Sequence, residues 1–347
     1  MAGLVSVFIK TLGCKVNSYD SAMLEKEFEK QGYHLSKQSD KADLLLINSC
    51  SVTSTAEKET RYLLRKFNRE NPNSFKVVTG CYAQINSGSL KELDTLDYIV
   101  PNQQKANLVS LVSEAYGKRG EENQAKLPES VKEVTNNRQT HFKLEKVLFG
   151  DHVVSKTRAY IKIQDGCNSF CSYCQIPYAR GKSRSAPVED VLAQVKSLVQ
   201  RDIKEIILTG IDIGDYGSDF VEADLARQVP FEVLLQRIFA ETEIGRLRIS
   251  SMEPTTVTES FLRILATNKD RLCNHFHLPL QSGSDRILTL MRRHYTKEKF
   301  FETLVKIRKF FPEAMISADV IPGFPGETEQ EFQETLDFIK KCDMNFL

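Results

Sequence analysis

The sequence predicts an α/β protein in two parts. An N-terminal doubly wound parallel-sheet domain covers residues 1–117, a linker or exposed segment covers 118–146, and a partial (β/α) barrel covers 147–347. Three observations predict this. Short apolar, β-rich runs alternate with helical patterns, as parallel sheets require. The alternation stops at a polar stretch, GKRGEENQAK and then TNNRQT, that has no apolar period. Beyond it five strand–helix units repeat, too few for a closed eight-unit barrel.

The elements follow in order. Residues 4–12 read as a first strand, and 18–31 as a helix with Met23, Leu24 and Phe28 on one face and Gly32 as its stop. Residues 44–47 are a buried strand. A helix over 54–70 carries Leu63, Leu64 and Phe67 and ends before Pro72. Strands at 76–79 and 97–100 and a helix at 104–116 complete the first part. In the second part the strands fall at 158–164, 205–209, 246–250, 275–280 and 316–321. The helices fall at 187–201, 230–241, 258–267, 284–293, 297–311 and 328–342, and Phe346-Leu347 opens a sixth strand. Ser185 is the expected cap of the 187–201 helix, Pro187 lies in its first turn, and Glu189 and Asp190 complement its positive end. Its apolar stripe is Val188, Val191, Leu192, Val195 and Val199.

Apolar residues make up 41% and charged residues 27%, the balance of a soluble globular chain. No apolar run approaches the ~20 residues of a membrane span. The N-terminus has no basic region and no cleavage site, so the expectation is a cytoplasmic protein, monomeric and without a membrane partner. A net charge of +1 provides no global field for nucleic acid. RNA contact must then use local patches. Eight cysteines in a chain of this length fit metal ligation better than disulfides.

Those cysteines carry the chemistry. Cys167, Cys171 and Cys174 stand at C-x3-C-x2-C in one loop, close enough for three thiolates to meet at one centre. A structural zinc site takes four ligands, and neither a Cys nor a His supplies a fourth here. An iron–sulfur cluster also takes four as a rule, so three thiolates leave one iron open. Cys14, Cys50 and Cys81 each follow a strand. Sites in open parallel sheets form at the carboxyl ends of strands, so these three can gather at one sheet edge as a second cluster. The competing reading is three separate buried thiols. Cys273 and Cys342 lie outside both sets and read as packing residues. The six histidines have no paired metal spacing, and His277 reads as a buried, hydrogen-bonded strand residue.

The loops after the barrel strands are rich in small and polar residues: Thr209 and Gly210, then Ser251 and Glu253, then Gln281, then Asp319 and Ile321. Glycine lets backbone approach a ligand closely. Ser251, Glu253 and Gln281 can hydrogen-bond a polar ligand, and Ile321 can pack on an apolar face of it.

The cysteine loop, with Tyr173 before its last Cys, resembles the signature of radical S-adenosylmethionine enzymes. The chain as a whole resembles the methylthiotransferase family among them. The resemblance rests on TLGCKVN (11–17), INSC (47–50), TGC (79–81), the 166–174 loop, IPYARG (176–181), HLPLQSGS (277–284) and DVIPGFPGE (319–327). It implies two [4Fe–4S] clusters: an auxiliary one on Cys14, Cys50 and Cys81, and the radical-generating one on Cys167, Cys171 and Cys174. It also implies S-adenosylmethionine bound beside the second, with Tyr173, Thr209, Gly210, Ser251, Glu253, Gln281, Asp319 and Ile321 as contacts. The implied chemistry is radical abstraction of hydrogen followed by methylthio transfer, with a low-potential electron donor and a sulfur donor as further partners.

Family members act on tRNA adenosine bearing isopentenyl or threonylcarbamoyl, or on a ribosomal-protein aspartate. GCKVN (13–17) and LTGIDIGDYG (208–217) resemble the threonylcarbamoyladenosine branch, which implies tRNA position 37 as the target. Asp212 and Gln175 depart from that branch, which has Asn and a small aliphatic there. The family continues into a small RNA-binding β domain, so a chain ending at Leu347 is expected to be truncated. Candidate RNA contacts are Arg180, Lys182 and Arg184. The cations Lys58, Arg61, Arg65, Lys66 and Arg69 read rather as a solvated helix face. The rival from another class is an iron–sulfur electron carrier or sensor, which would not need the loops at 250–254 and 319–327.

Overall fold

The computed structural model describes residues 5–118, 151–155 (backbone only), 157–220 and 230–347. The expected linker at 118–146 lies, Lys118 apart, outside the described residues. The described residues form two compact units. One is the N-terminal part together with Gln175–Lys182. The other runs through Cys174 and resumes at Ser183. The barrel range expected from the sequence, 147–347, includes Gln175–Lys182, which the structure groups with the first unit.

In the first unit, strands Ser6–Thr11 (β1), His34–Leu35 (β2), Leu44–Ser49 (β3), Phe75–Gly80 (β4) and Tyr98–Pro101 (β5) are parallel, in the order β2-β1-β3-β4-β5. Every residue of β3 and β4 is buried. Sheets covered on both faces produce such continuous apolar runs in place of alternation. Helix Ser54–Glu70 (α2) packs Leu63, Leu64 and Phe67 against Leu45, Ile47 and Val78. Helices Lys15–Lys30 (α1) and Leu108–Gly117 (α5) close the other face, with Leu24, Phe28, Leu108 and Val112 against Leu44, Leu46 and Val77. Short helices Cys81–Ile85 (α3), Ser87–Lys91 (α4) and Ile176–Arg180 (α6) were not anticipated. α1 starts at Lys15, three residues before the expected 18, because Gly13, at φ 90°, turns the chain directly from strand into helix.

In the second unit, Arg158–Lys162 (β7), Glu205–Thr209 (β10) and Arg246–Ile249 (β11) run parallel, and Asp151–Ser155 (β6) lies antiparallel on the outer edge of β7. His275–His277 (β12) pairs in parallel with Met315–Ser317 (β13). Parallel bridges Leu247–Leu272 and Ser317–Phe346 continue the succession on either side. The result is the open, partial βα barrel that the five repeats imply. The helices are Val188–Gln200 (α7), Pro230–Glu241 (α8), Glu259–Thr267 (α9), Asp285–Leu290 (α10), Lys297–Phe310 (α11) and Glu329–Cys342 (α12).

A two-residue ribbon pairs Gln164–Asp165 (β8) with Arg184–Ser185 (β9). It corrects one expectation: Ser185 does not cap α7. Its hydroxyl accepts from the Gly217 N–H (2.7 Å), and α7 starts at Val188 after an extended Pro187 without a side-chain cap. Ala186, the residue before Pro187, is disfavoured in helical conformation, so the helix does not reach back to Ser185, which pairs with Gln164 in the ribbon. The stripe also shifts: Val191, Leu192, Val195 and Leu198 are buried, while Val188 and Val199 are only half-buried. Among the described residues no helix is long and apolar enough to cross a membrane.

Candidate functional site

In the first unit the order β2-β1-β3-β4-β5 reverses direction between β1 and β3, and ligands of open α/β sheets bind outside the carboxyl ends of strands at such a point. Cys14 follows β1 and Cys50 follows β3, one on each side of it, and Cys81 follows β4. Gly13 lies so close to Cys50 that an added Cβ would stand 2.5 Å from its Sγ. Gly80 needs φ 97° to let β4 turn into α3 at Cys81. Burial pushes the Cys50 thiol up, and the neighbouring Cys81 and Cys14 add to the effect.

A buried polar network holds these turns. Asn17 Nδ2 donates to the carbonyls of Leu12 and Ser49, both at 2.9 Å. Asn48 Nδ2 donates back to the Asn17 carbonyl (2.9 Å). Asp20 accepts from Lys105 Nζ (3.2 Å) and Arg180 Nη2 (3.1 Å), and Arg180 also donates to Asn17 Oδ1 (2.6 Å). Here a sequence expectation fails. Arg180 is 2% exposed and held by Asp20, so it is not a surface cation for RNA; Lys182 is exposed and Arg184 is half-buried. Its place beside the cysteine loop suggests an RNA contact, but its charge is spent inside, on Asn17 and Asp20. On α2, Lys58, Arg65 and Arg69 are exposed, while Arg61 lies over the Tyr82 ring.

In the second unit the loop 166–174 leaves β8 through Gly166 (φ 80°) and bends at Phe170, whose φ of 47° is left-handed and costs a non-glycine residue energy. Gln164 ties this loop to the one after β10. Its Oε1 accepts from the N–H groups of Ile211 and Asp212 (2.9 Å each), and its Nε2 donates to the Gly166 carbonyl and Ser183 Oγ (2.8 Å each). Asn168 Nδ2 donates to Asp215 (2.9 Å). Cys167 Sγ lies 3.9 Å from Asp212 Oδ2. Burial pushes the Cys167 thiol up to about 12, and burial with Glu253 and Asp215 nearby pushes the Asp212 carboxyl up to about 6. Arg293 Nη1 donates to Cys171 Sγ (3.2 Å), while its Nη2 donates to Glu253. Tyr173 OH accepts from the same guanidinium (3.5 Å), and burial raises its phenol.

Five of the eight expected cofactor contacts fall into two groups. Glu253 and Tyr173 meet through Arg293. Gln281, Asp319 and Ile321 meet through the backbone: Gln281 N–H donates to the Asp319 carbonyl (2.8 Å) and Ile321 N–H to the Gln281 carbonyl (2.9 Å). Gln281 itself has φ 65° and is buried, and its Oε1 has no partner among the described residues. Thr209 is buried at the end of β10, Gly210 packs against Gln164, and Ser251 is exposed. His277 is half-buried and bonded at both ring nitrogens, to Ser317 (2.8 Å) and Asp319 (3.1 Å). Cys342 is buried and Cys273 half-buried. Sequence reasoning missed Gln164, Asn168 and Arg293. A glutamine at a strand's last inward position just before the cysteine loop was the available signal for Gln164. Arg293 had none, since its partner Cys171 is 122 residues away.

Among the described residues no three Cys, His, Asp or Glu side chains group tightly enough for a single metal ion. A four-iron cluster makes a different demand, because each thiolate binds its own iron.

Comparison with known proteins completes the description. Residues 161–339 match the radical SAM superfamily, and residues 6–101 match the uncharacterized protein family UPF0004. Threonylcarbamoyladenosine tRNA methylthiotransferase MtaB of Bacillus subtilis is 38% identical over 97% of this chain and 71% of its own length. The protein of the same name from Aquifex aeolicus is 36% identical over 99% and 79%. The tRNA-2-methylthio-N(6)-dimethylallyladenosine synthase of Methylacidiphilum infernorum is 33% identical over 97% and 70%. Among solved structures, the radical S-adenosylmethionine methyltransferase TsrM from Kitasatospora setae shares the fold at a TM-score of 0.71, with 15% identity over 98% of this chain and 72% of that one. With its radical SAM domain and these relatives along almost its entire length, the chain belongs to the radical S-adenosylmethionine methylthiotransferase family and is a transferase.

Proposed function

We propose that this chain transfers a methylthio group to carbon 2 of the adenine of threonylcarbamoyladenosine at tRNA position 37, in the cytoplasm, using S-adenosylmethionine and two [4Fe–4S] clusters. Family membership brings S-adenosylmethionine and one such cluster; the second cluster, the substrate and the position are the proposal. One observation carries it: two sets of three cysteines, one at the carboxyl ends of three parallel strands and the other in the single loop after β8, in a chain that aligns with a threonylcarbamoyladenosine enzyme over 97% of its length.

The residues fit the groups proposed for them. Two all-thiolate sets suit iron–sulfur chemistry. Gly13 leaves the space beside Cys50 that a side chain would fill. Buried oxygens of Ser51 after β3, Thr79 near the end of β4, Asn102 after β5 and Gln281 after β12 have no partner among the described residues, and a bound group relieves that cost. Cys14, Cys50 and Cys81 would hold the auxiliary cluster; Cys167, Cys171 and Cys174 would hold the other. Reductive cleavage of S-adenosylmethionine is the chemistry supplied there. The protein's own part is positioning and shielding. Gln164 sets the cysteine loop against the loop at 210–212. Arg293 donates to Cys171 and fixes Glu253, whose carboxylate would bind the cofactor's ribose or amino acid. The Gln281 amide and Ile321 offer a polar and an apolar contact at one strand end.

Anaerobic turnover on tRNAs bearing either threonylcarbamoyladenosine or isopentenyladenosine, read by nucleoside mass spectrometry, tests the substrate. The expected result is a methylthio product from the first tRNA alone. Product from the isopentenyl tRNA alone would move the chain to the branch of its dimethylallyladenosine relative. An electron donor and a sulfur donor complete the reaction.

A further inference from the structure

Asn102 stands directly after β5, at the same sheet edge as the three N-terminal cysteines, and is 5% exposed. Its Nδ2 makes two contacts, donating to the Ala179 carbonyl in α6 (2.9 Å) and lying 3.6 Å from Cys81 Sγ. The orientation of the amide is determined, because the Ala179 carbonyl accepts only, so the nitrogen must face it and the sulfur. Oδ1 points the other way and has no partner among the described residues. The neighbours leave this side chain little freedom. Lys105, in the same helical turn, is tied to Asp20 (3.2 Å) and Asn48 (3.3 Å), and Arg180, next to Ala179, is tied to Asp20 (3.1 Å). The polar network thus holds Asn102 from both ends and presents an N–H to one sulfur of the set.

We infer that Asn102 is a positioning residue that sets the redox character of the N-terminal centre, by donating an amide N–H to the Cys81 thiolate. This rests on the reading that Cys14, Cys50 and Cys81 hold a cluster. Hydrogen bonds to ligating sulfurs are among the terms that set the potential of an iron–sulfur cluster. A donor aimed at a thiolate stabilises the reduced, more negative state over the oxidised one and so raises the potential. Removing the donor lowers it, and putting a carboxylate in its place lowers it further. Among the described residues, the side chains of Cys14 and Cys50 accept no side-chain N–H, and Cys50 Sγ accepts only the Val52 backbone N–H (3.4 Å).

The test uses the full chain with Cys167, Cys171 and Cys174 replaced by Ala, so that only the N-terminal centre is reconstituted. Iron content and midpoint potential, the latter by anaerobic titration followed by electron paramagnetic resonance, are compared with and without Asn102→Asp and Asn102→Ser. The expected result is unchanged iron, a potential shifted to more negative values for N102D, and a smaller shift in the same direction for N102S, which removes the amide N–H without adding a charge. Equal potentials at equal iron would overturn the inference while leaving the two-cluster reading intact. Loss of iron in both variants with an unchanged circular dichroism spectrum would overturn it too, since Asn102 would then be needed for assembly. A parent protein that binds no iron would overturn both readings.

Discussion

Gly13 illustrates how tightly single residues define the first unit. Its φ of 90° and the 2.5 Å approach of a hypothetical Cβ to Cys50 Sγ exclude every side chain at once. Gly13→Ala should therefore reduce reconstituted iron from about eight to about four per chain by losing the N-terminal cluster alone; full iron would mean that this turn does not shape the site. Arg180→Met should lower stability in urea by about 2–3 kcal/mol, because it strips a buried Asp20 of one of its two cations. A surface contact for RNA would leave stability unchanged. The two cases differ in how far the sequence alone could reach. The placement of Cys14, Cys50 and Cys81 after strands was legible because a strand end is a local pattern. The burial of Arg180 was not, because its partners Asn17 and Asp20 are 163 and 160 residues away and no local pattern encodes that approach.

At the scale of elements, helix α12 owes its start to a capping box. Thr328 Oγ1 accepts from the Glu331 N–H (3.3 Å), and Glu331 accepts from the Thr328 N–H (2.9 Å). Thr328→Ala should cost about 1 kcal/mol, measured by urea unfolding at pH 7. The hydrogen bond from Arg286, joined by that from the Thr328 backbone, holds the Glu331 carboxyl well below the usual carboxylate range. A depressed carboxyl stabilises the fold above its unfolded pKa, and that contribution is lost as pH falls through the folded value. The stability gap between the native chain and Glu331→Gln should stay constant from pH 8 to pH 6 and shrink from about pH 5 downward. A gap that does not change with pH would rule out the ion pair as its source. Helix α2 was legible over about 54–70, since its apolar period runs the length of the element and Pro72 follows its end; its cap, Thr53, was not read. The two-residue strands β2, β8 and β9 and the five-residue helices α3, α4 and α6 were missed, because pieces this short carry no period and exist only by what they pack against.

For the whole molecule, the five strand–helix units predicted the open barrel because parallel connections leave few topologies. The assignment of Gln175–Lys182 to the first unit went unread, since it is made by buried polar bonds such as Asn102 to Ala179 and not by apolar period. The account assigns different work to the two cysteine sets, and this division is its central claim. The measurement that tests it most directly follows cofactor cleavage and methylthio product together, under anaerobic conditions, in Cys14→Ala and Cys171→Ala. Cys14→Ala should still cleave S-adenosylmethionine and yield no methylthio nucleoside, and Cys171→Ala should do neither. Methylthio product from Cys14→Ala would contradict the account.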